Sequence, residues 1–187
     1  MSISSKPFEP ESIYLPILPG PGDLHVRVAG RARGKPLLLF HGSGADVTWR
    51  TWEPQMDAFG EVRRVYALDW PGWGDSAGVR PEGAERFNPA PMIKVVMRAM
   101  DALDIPRADI GGVSWGGFIA LELALAVPER VDRLLLVDAA QAAPFSARLG
   151  SAGNTGTRLA AGLPSAPGWR GELHWAGAKK TDRLAKG

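Results

Sequence analysis

The stretch ADIGGVSWGGFIALELALAV, residues 108–127, decides the fold. Ala108–Val113 is a short run of strand length, and Trp115–Val127 is apolar throughout apart from Glu122. A helix that is apolar all round is a buried one. The two segments meet at Gly112-Val113-Ser114-Trp115-Gly116, which fits Gly-x-Ser-x-Gly. The pentapeptide alone carries little information, because Gly and Ser are common. A strand running into it and a buried helix leaving it carry much more. That context sets a serine on a tight, strained turn with its hydroxyl above the sheet edge. Small flanking residues let the neighbouring backbones approach. The start of the helix offers N–H groups and the positive end of a dipole, both suited to an oxyanion.

Outward from this turn, strands and helices alternate. Leu24–Val28 alternates apolar and polar residues and predicts a strand with one solvated face, with an earlier strand near Ile13–Leu15. Pro36–Phe40 predicts a strand buried on both faces, as in a parallel sheet. Val62–Leu68 and Val131–Val137 predict two more. Residues 48–59 suit a helix that Pro54 interrupts. A second helix starts from Asn88 as N-cap, carries Ile93, Val96, Met100 and Leu103 on one face, and ends by Pro106. The alternation predicts an α/β fold with a mainly parallel sheet and flanking helices.

Two loops at strand ends carry further chemistry. His41-Gly42-Ser43-Gly44 follows Phe40 and can aim a backbone N–H at the same oxyanion. His41 is read there as holding the loop by hydrogen bonds, not as a general base. Asp69-Trp70-Pro71-Gly72-Trp73-Gly74-Asp75-Ser76 follows Leu68, and its Pro and two Gly mark a tight turn. A dinucleotide-binding reading of that loop fails on its glycine spacing and on Pro71, which has no N–H. A phosphate loop at Gly30–Lys35 fails because Pro36 stands where Ser or Thr is needed.

These three motifs, in this order and at these strand ends, resemble the α/β-hydrolase superfamily, from about Leu24 to Ala140. The resemblance implies that Ser114 is the nucleophile and that the backbone N–H groups of Ser43 and Trp115 form the oxyanion hole. It makes Asp69–Ser76 a structural turn. Serine at 114 separates the chain from the epoxide hydrolases and haloalkane dehalogenases, whose nucleophile is an aspartate, in spite of the similar Trp115-Gly116-Gly117. Serine members cleave esters, some amides and some carbon–carbon bonds. The implied substrate is a small, fairly apolar ester or related carbonyl compound, with no metal or organic cofactor.

The family's triad runs Ser, then Asp or Glu, then His. After Ser114 the only histidine is His174. It is the weak candidate for the base, expected in a loop or tail, and Asp138 at the end of the last strand is the weak candidate for the acid. His25 is read as structural. A serine hydroxyl is a poor nucleophile until a base takes its proton. The expectation is therefore a catalytically incomplete hydrolase. The alternative is a non-catalytic truncated or degenerate fragment that binds small apolar molecules.

Composition agrees with a globular domain. The 187 residues are 45% hydrophobic and 22% charged. A net charge of +2 gives no nucleic-acid footprint. The absence of cysteine excludes disulfides, thiol chemistry and cysteine-ligated zinc. No apolar run approaches the ~20 residues of a membrane span, and Met1–Pro10 lacks the apolar core of a secretory signal. The expected location is the cytoplasm. The composition breaks near residue 140. Residues 141–187 contain no Val, Ile, Met or Tyr, and hold seven Lys/Arg against Glu172 and Asp182. The predicted organisation is a partial hydrolase domain over 1–140 and a basic, poorly ordered Ala/Gly/Pro-rich tail over 141–187. A shifted reading frame or a truncation would account for both the break and the missing last strands, and an independently evolved short form is the other reading. With no strand beside Leu134–Val137, that apolar edge would be open, and self-association is expected.

Overall fold

The structure, a computed structural model, describes residues 11–18, 22–31, 34–76, 88–139 and the backbone of 172–176. Its centre is a seven-stranded sheet. The strands are β1 (Glu11–Leu15), β2 (Leu24–Ala29), β3 (Leu37–Phe40), β4 (Val65–Leu68), β5 (Ala108–Val113), β6 (Val131–Val137) and β7 (Glu172–Ala176). Their spatial order is β1-β2-β4-β3-β5-β6-β7. β2 runs antiparallel to β1 and β4, and every pairing from β4 to β7 is parallel. This is the α/β fold with a mainly parallel sheet that the sequence predicts.

Helices cover both faces, and the two-residue period of β3 shows it. Leu38 and Phe40 pack into a core shared with α2 (Ala90–Ala102) and α3 (Trp115–Ala126). Leu37 and Leu39 point the other way, into a core with Trp49, Trp52 and Met56. The two tryptophans belong to a 3-10 turn, Trp49–Trp52, and Met56 to the helix that follows it, α1 (Glu53–Gly60). Thr48 caps the 3-10 turn by accepting from the Arg50 N–H. Pro54 therefore does not interrupt a helix. It stands in the first turn of α1, where a missing N–H has no partner to lose.

Other expectations shift for local reasons. β4 begins at Val65, and Val62 is 64% exposed in the turn before it. The N-cap of α2 is Pro89, with Asn88 Oδ1 accepting from the Ala90 N–H one step outside. The solvated face expected of β2 is covered. Of its residues only Arg27 is half-buried, and its guanidinium stacks 4.9 Å from the Trp49 ring. His25 is fully buried beside Tyr14, with ring centroids 5.1 Å apart.

β7 corrects the largest expectation. It pairs with β6 over five residues, from Arg133↔Glu172 to Val137↔Ala176. The apolar strand β6 is thus not left at an open edge, and among the described residues the edge strand there is β7. His174, expected in a loop or tail, is the middle residue of β7, in register with Leu135. The expectation required a run of aliphatics. A ladder requires only extended backbone, and Glu-Leu-His-Trp-Ala, with an aromatic and a Leu, supplies it. The expected poor order of the remaining residues of 141–187 lies outside the described residues. Among the described residues no helix is long and apolar enough to cross a membrane.

Candidate active site

Ser114 is the single residue between β5 and α3, with φ 53° and ψ −120°. Residues with a Cβ rarely adopt this positive φ. The surrounding backbone imposes it. The Ser114 N–H donates to the Val137 carbonyl at 2.9 Å, and the Ser114 carbonyl accepts from the Phe118 N–H at 3.1 Å. A Cβ on Gly112 would overlap the Gly116 carbonyl, and one on Gly116 would sit 2.5 Å from the Phe40 carbonyl oxygen. Both glycines are therefore required by close approach. The Ser114 side chain is exposed while α3 behind it is buried.

The loop after β3 lies against this serine. A Cβ on Gly42 would stand 3.4 Å from Ser114 Cβ and 3.8 Å from its Oγ. Among the described residues, no backbone carbonyl accepts from the next amide, that of half-buried Ser43. His41 fixes the loop. Its Nδ1 donates to the Gly42 carbonyl at 2.7 Å, its Nε2 accepts from the Trp70 N–H at 3.1 Å, and its own carbonyl accepts from Trp70 Nε1 at 2.9 Å. Burial holds the His41 imidazole below its ordinary pKa, against the opposing pull of the Gly42 carbonyl and the Asp69 carboxylate. It stays neutral with both ring nitrogens engaged. The rings of Trp70 and Trp73 lie 5.4 and 5.9 Å from that of Trp115; Trp70 and Trp115 are buried in the core and Trp73 is half-buried.

Asp69–Ser76 is a hydrogen-bonded turn around a buried carboxylate. Asp69 accepts from the Trp49 N–H at 2.7 Å, the Asp75 N–H at 3.1 Å and His25 Nδ1 at 2.8 Å. Gly74, at φ 51°, passes so close that a Cβ there would overlap this carboxylate. Ser76 Oγ donates to the Asp69 carbonyl and accepts from the His25 N–H, both at 2.8 Å. His25, Asp69 and Asp75 are the group that could hold a cation among the described residues, but His25 and Asp69 are already bonded to each other.

Asp138 follows Val137 at the C-terminal end of β6, exposed and at φ 42°. It is thus adjacent to the carbonyl that holds the Ser114 amide. His174 is level with Leu135 and Gly111 in the ladder. At strand spacings, its backbone lies ~10 Å across the sheet from β5 and ~10 Å short of Ser114 along it.

A family model described as "alpha/beta hydrolase fold" matches residues 35–170. The chain belongs to the α/β-hydrolase family. This α/β hydrolase is 44% identical over 108 residues to the 2-hydroxymuconate semialdehyde hydrolase of Pseudomonas sp. (strain CF600), covering 57% of this chain and 37% of that one. It is 36% identical over 136 residues to the 2-hydroxy-6-oxononadienedioate/2-hydroxy-6-oxononatrienedioate hydrolase of Paraburkholderia phymatum, covering 71% and 46%. Among solved structures it resembles carboxylesterase CesB from Bacillus subtilis, with a TM-score of 0.61 at 27% identity over 73% of this chain and 45% of that one. The α/β hydrolase thus spans less than half the length of these relatives. The bond between His25 and Asp69 escapes a linear reading, because it joins residues 44 positions apart. The usable signal is a histidine in one predicted strand and an aspartate just after another.

Proposed function

We propose that Ser114 is the nucleophile of an acyl-transfer reaction on a small ester or related carbonyl substrate. The observation that carries this reading is the exposed serine at φ 53° between a buried strand and a buried helix. The hydroxyl attacks the carbonyl carbon, and the carbonyl electron pair moves onto oxygen. The amides of Ser43 and Trp115 receive that oxyanion, a contribution of ~10²–10³ in rate per donor. The Ser114 hydroxyl proton passes to solvent water, collapse expels the leaving group, which takes a proton back from water, and a second water resolves the acyl-enzyme to the acid and Ser114. Half-buried Trp73, packed on the Trp115 ring next to Ser114, favours an apolar acyl or leaving group. The relatives named as hydrolases and as a carboxylesterase support the same class of chemistry. The scheme calls for no metal or organic cofactor.

The base is the weak point. Both ring nitrogens of His41 are engaged, and so are both of His25. The backbone of His174 is farther from Ser114 than an imidazole side chain extends. In subtilisin, loss of the base alone costs ~10⁶ in turnover, leaving ~10³–10⁴ over water. We therefore assign this chain slow catalysis, with Asp138 standing where an acid could serve. The test is fluorophosphonate labelling mapped by mass spectrometry. Slow labelling of Ser114 is expected, lost in Ser114→Ala and unchanged in His174→Ala and Asp138→Asn. Fast labelling lost in both Ser114→Ala and His174→Ala would mean a complete triad. Folded protein left unlabelled at Ser114 would remove the nucleophile and favour a binding role.

A further inference from the structure

A second serine in this molecule has what Ser114 lacks. Ser12 is exposed on the edge strand β1, where it pairs with Arg27 of β2, and its neighbour Tyr14 pairs with His25. Residues two apart on a strand share a face, so Ser12, His25 and Arg27 point the same way. Ser12 Oγ lies 2.8 Å from His25 Nε2, and His25 Nδ1 lies 2.8 Å from Asp69 Oδ2. His25 and Asp69 are both fully buried.

The proton positions follow from what each group can do. A carboxylate only accepts, so Nδ1 carries the hydrogen, and in the neutral imidazole Nε2 presents its lone pair. In that neutral form Ser12 donates its hydroxyl hydrogen to Nε2. Arg27 Nη1, which only donates, gives its hydrogen to Ser12 Oγ at 3.1 Å. The hydroxyl proton is thus directed at an imidazole whose far side is held by a buried carboxylate, and a guanidinium faces the oxygen. The Trp49 and Asp75 amides fix that carboxylate in turn. A serine is activated by this relationship of hydroxyl, base and orienting acid.

We propose that Ser12 is a second acylation site, separate from Ser114, activated by His25 and Asp69 and open to small activated acyl esters from the solvent side of β1. With p-nitrophenyl acetate, the Ser12 Oγ–carbon bond forms as the hydroxyl proton passes to His25 Nε2. The ester carbon–oxygen bond breaks, p-nitrophenolate leaves, and Nε2 returns the proton to it or to water. The product is O-acetyl-Ser12. Arg27 opposes the negative charge that develops on the reacting oxygens. Asp75 Oδ2, 3.9 Å from Nε2, balances the transient imidazolium.

The test uses the full chain, incubated with p-nitrophenyl acetate and mapped by peptide mass spectrometry over time. Acetyl-Ser12 is expected at the same rate in the wild type and in Ser114→Ala. His25→Asn, its fold checked by circular dichroism, should slow it by ~10²-fold or more. Arg27→Met leaves the buried pair untouched and should slow it roughly fivefold, which keeps the comparison available if the His25 variant does not fold. Ser12 left unmodified in the wild type, or modified no faster than half-buried Ser43, would overturn the proposal. So would wild-type rates in a folded His25→Asn or in Arg27→Met.

Discussion

A positive φ at a residue with a Cβ costs about 1–3 kcal/mol, and Ser114 sits at 53°. Ser114→Gly relieves that strain and adds about 0.5–1 kcal/mol of unfolded-chain freedom. The net expectation is a protein about 1 kcal/mol more stable in urea unfolding, with labelling at position 114 lost. Gly116→Ala should act in the opposite sense. Its Cβ would press on the Phe40 and His41 carbonyls, which are backbone and cannot turn away, so a loss of about 3 kcal/mol or more is expected. His41 gives a pH signature. Its folded-state pKa lies below the ordinary 6.5, so the unfolded chain takes up the proton first as the solution is acidified. Stability should be fully present above pH 6.5, fall as the pH drops below it, and level off below the folded-state value. Unfolding free energies from pH 8 to pH 5, wild type against His41→Asn, should show the extra slope in the wild type only.

Each element was legible in proportion to how locally it is determined. The bounds of β5 and β6 are set by what flanks them, Pro106 and Ser114 around β5 and Pro128 and Asp138 around β6, and the sequence reading of both agrees with the structure residue for residue. α3 was readable because an apolar segment that long has nowhere to go but the core. The burial of β2 was not readable, since its polar face is covered by Trp49 and by the turn after β4, tens of residues away. Pro54 shows the same limit at a helix end. Proline inside a helix costs about 3 kcal/mol or more, so Pro54→Ala would stabilise a helix that Pro54 interrupted. At the first turn of α1 the sign reverses, and Pro54→Ala should lower stability by about 0.4–1 kcal/mol through the freer unfolded chain. Thermal melts of the two proteins decide between these signs.

For the whole molecule the decisive element is β7. No run of aliphatic residues marks it in the sequence, because the sheet needs only a backbone partner for β6. The candidate site was legible for the opposite reason: Ser114 and the Ser43 loop are written in short motifs whose glycines have steric causes. The pairing makes a definite prediction. Leu173→Pro together with His174→Pro removes a ladder donor from β7 whichever way its N–H groups alternate. Hydrogen exchange should then speed up at Leu134–Val137, and light scattering should show association through the freed edge. The same pairing sets a clock during synthesis. β6 is translated well before β7, and at about 5–20 residues per second the ~35 residues between them take roughly 2–7 s. For those seconds the nascent chain carries Leu134-Leu135-Leu136-Val137 without its neighbour on that side. Collapse takes microseconds, so the growing chain waits on the ribosome far longer than it needs to fold. Slow codons in this interval would lengthen the time that edge stays without β7.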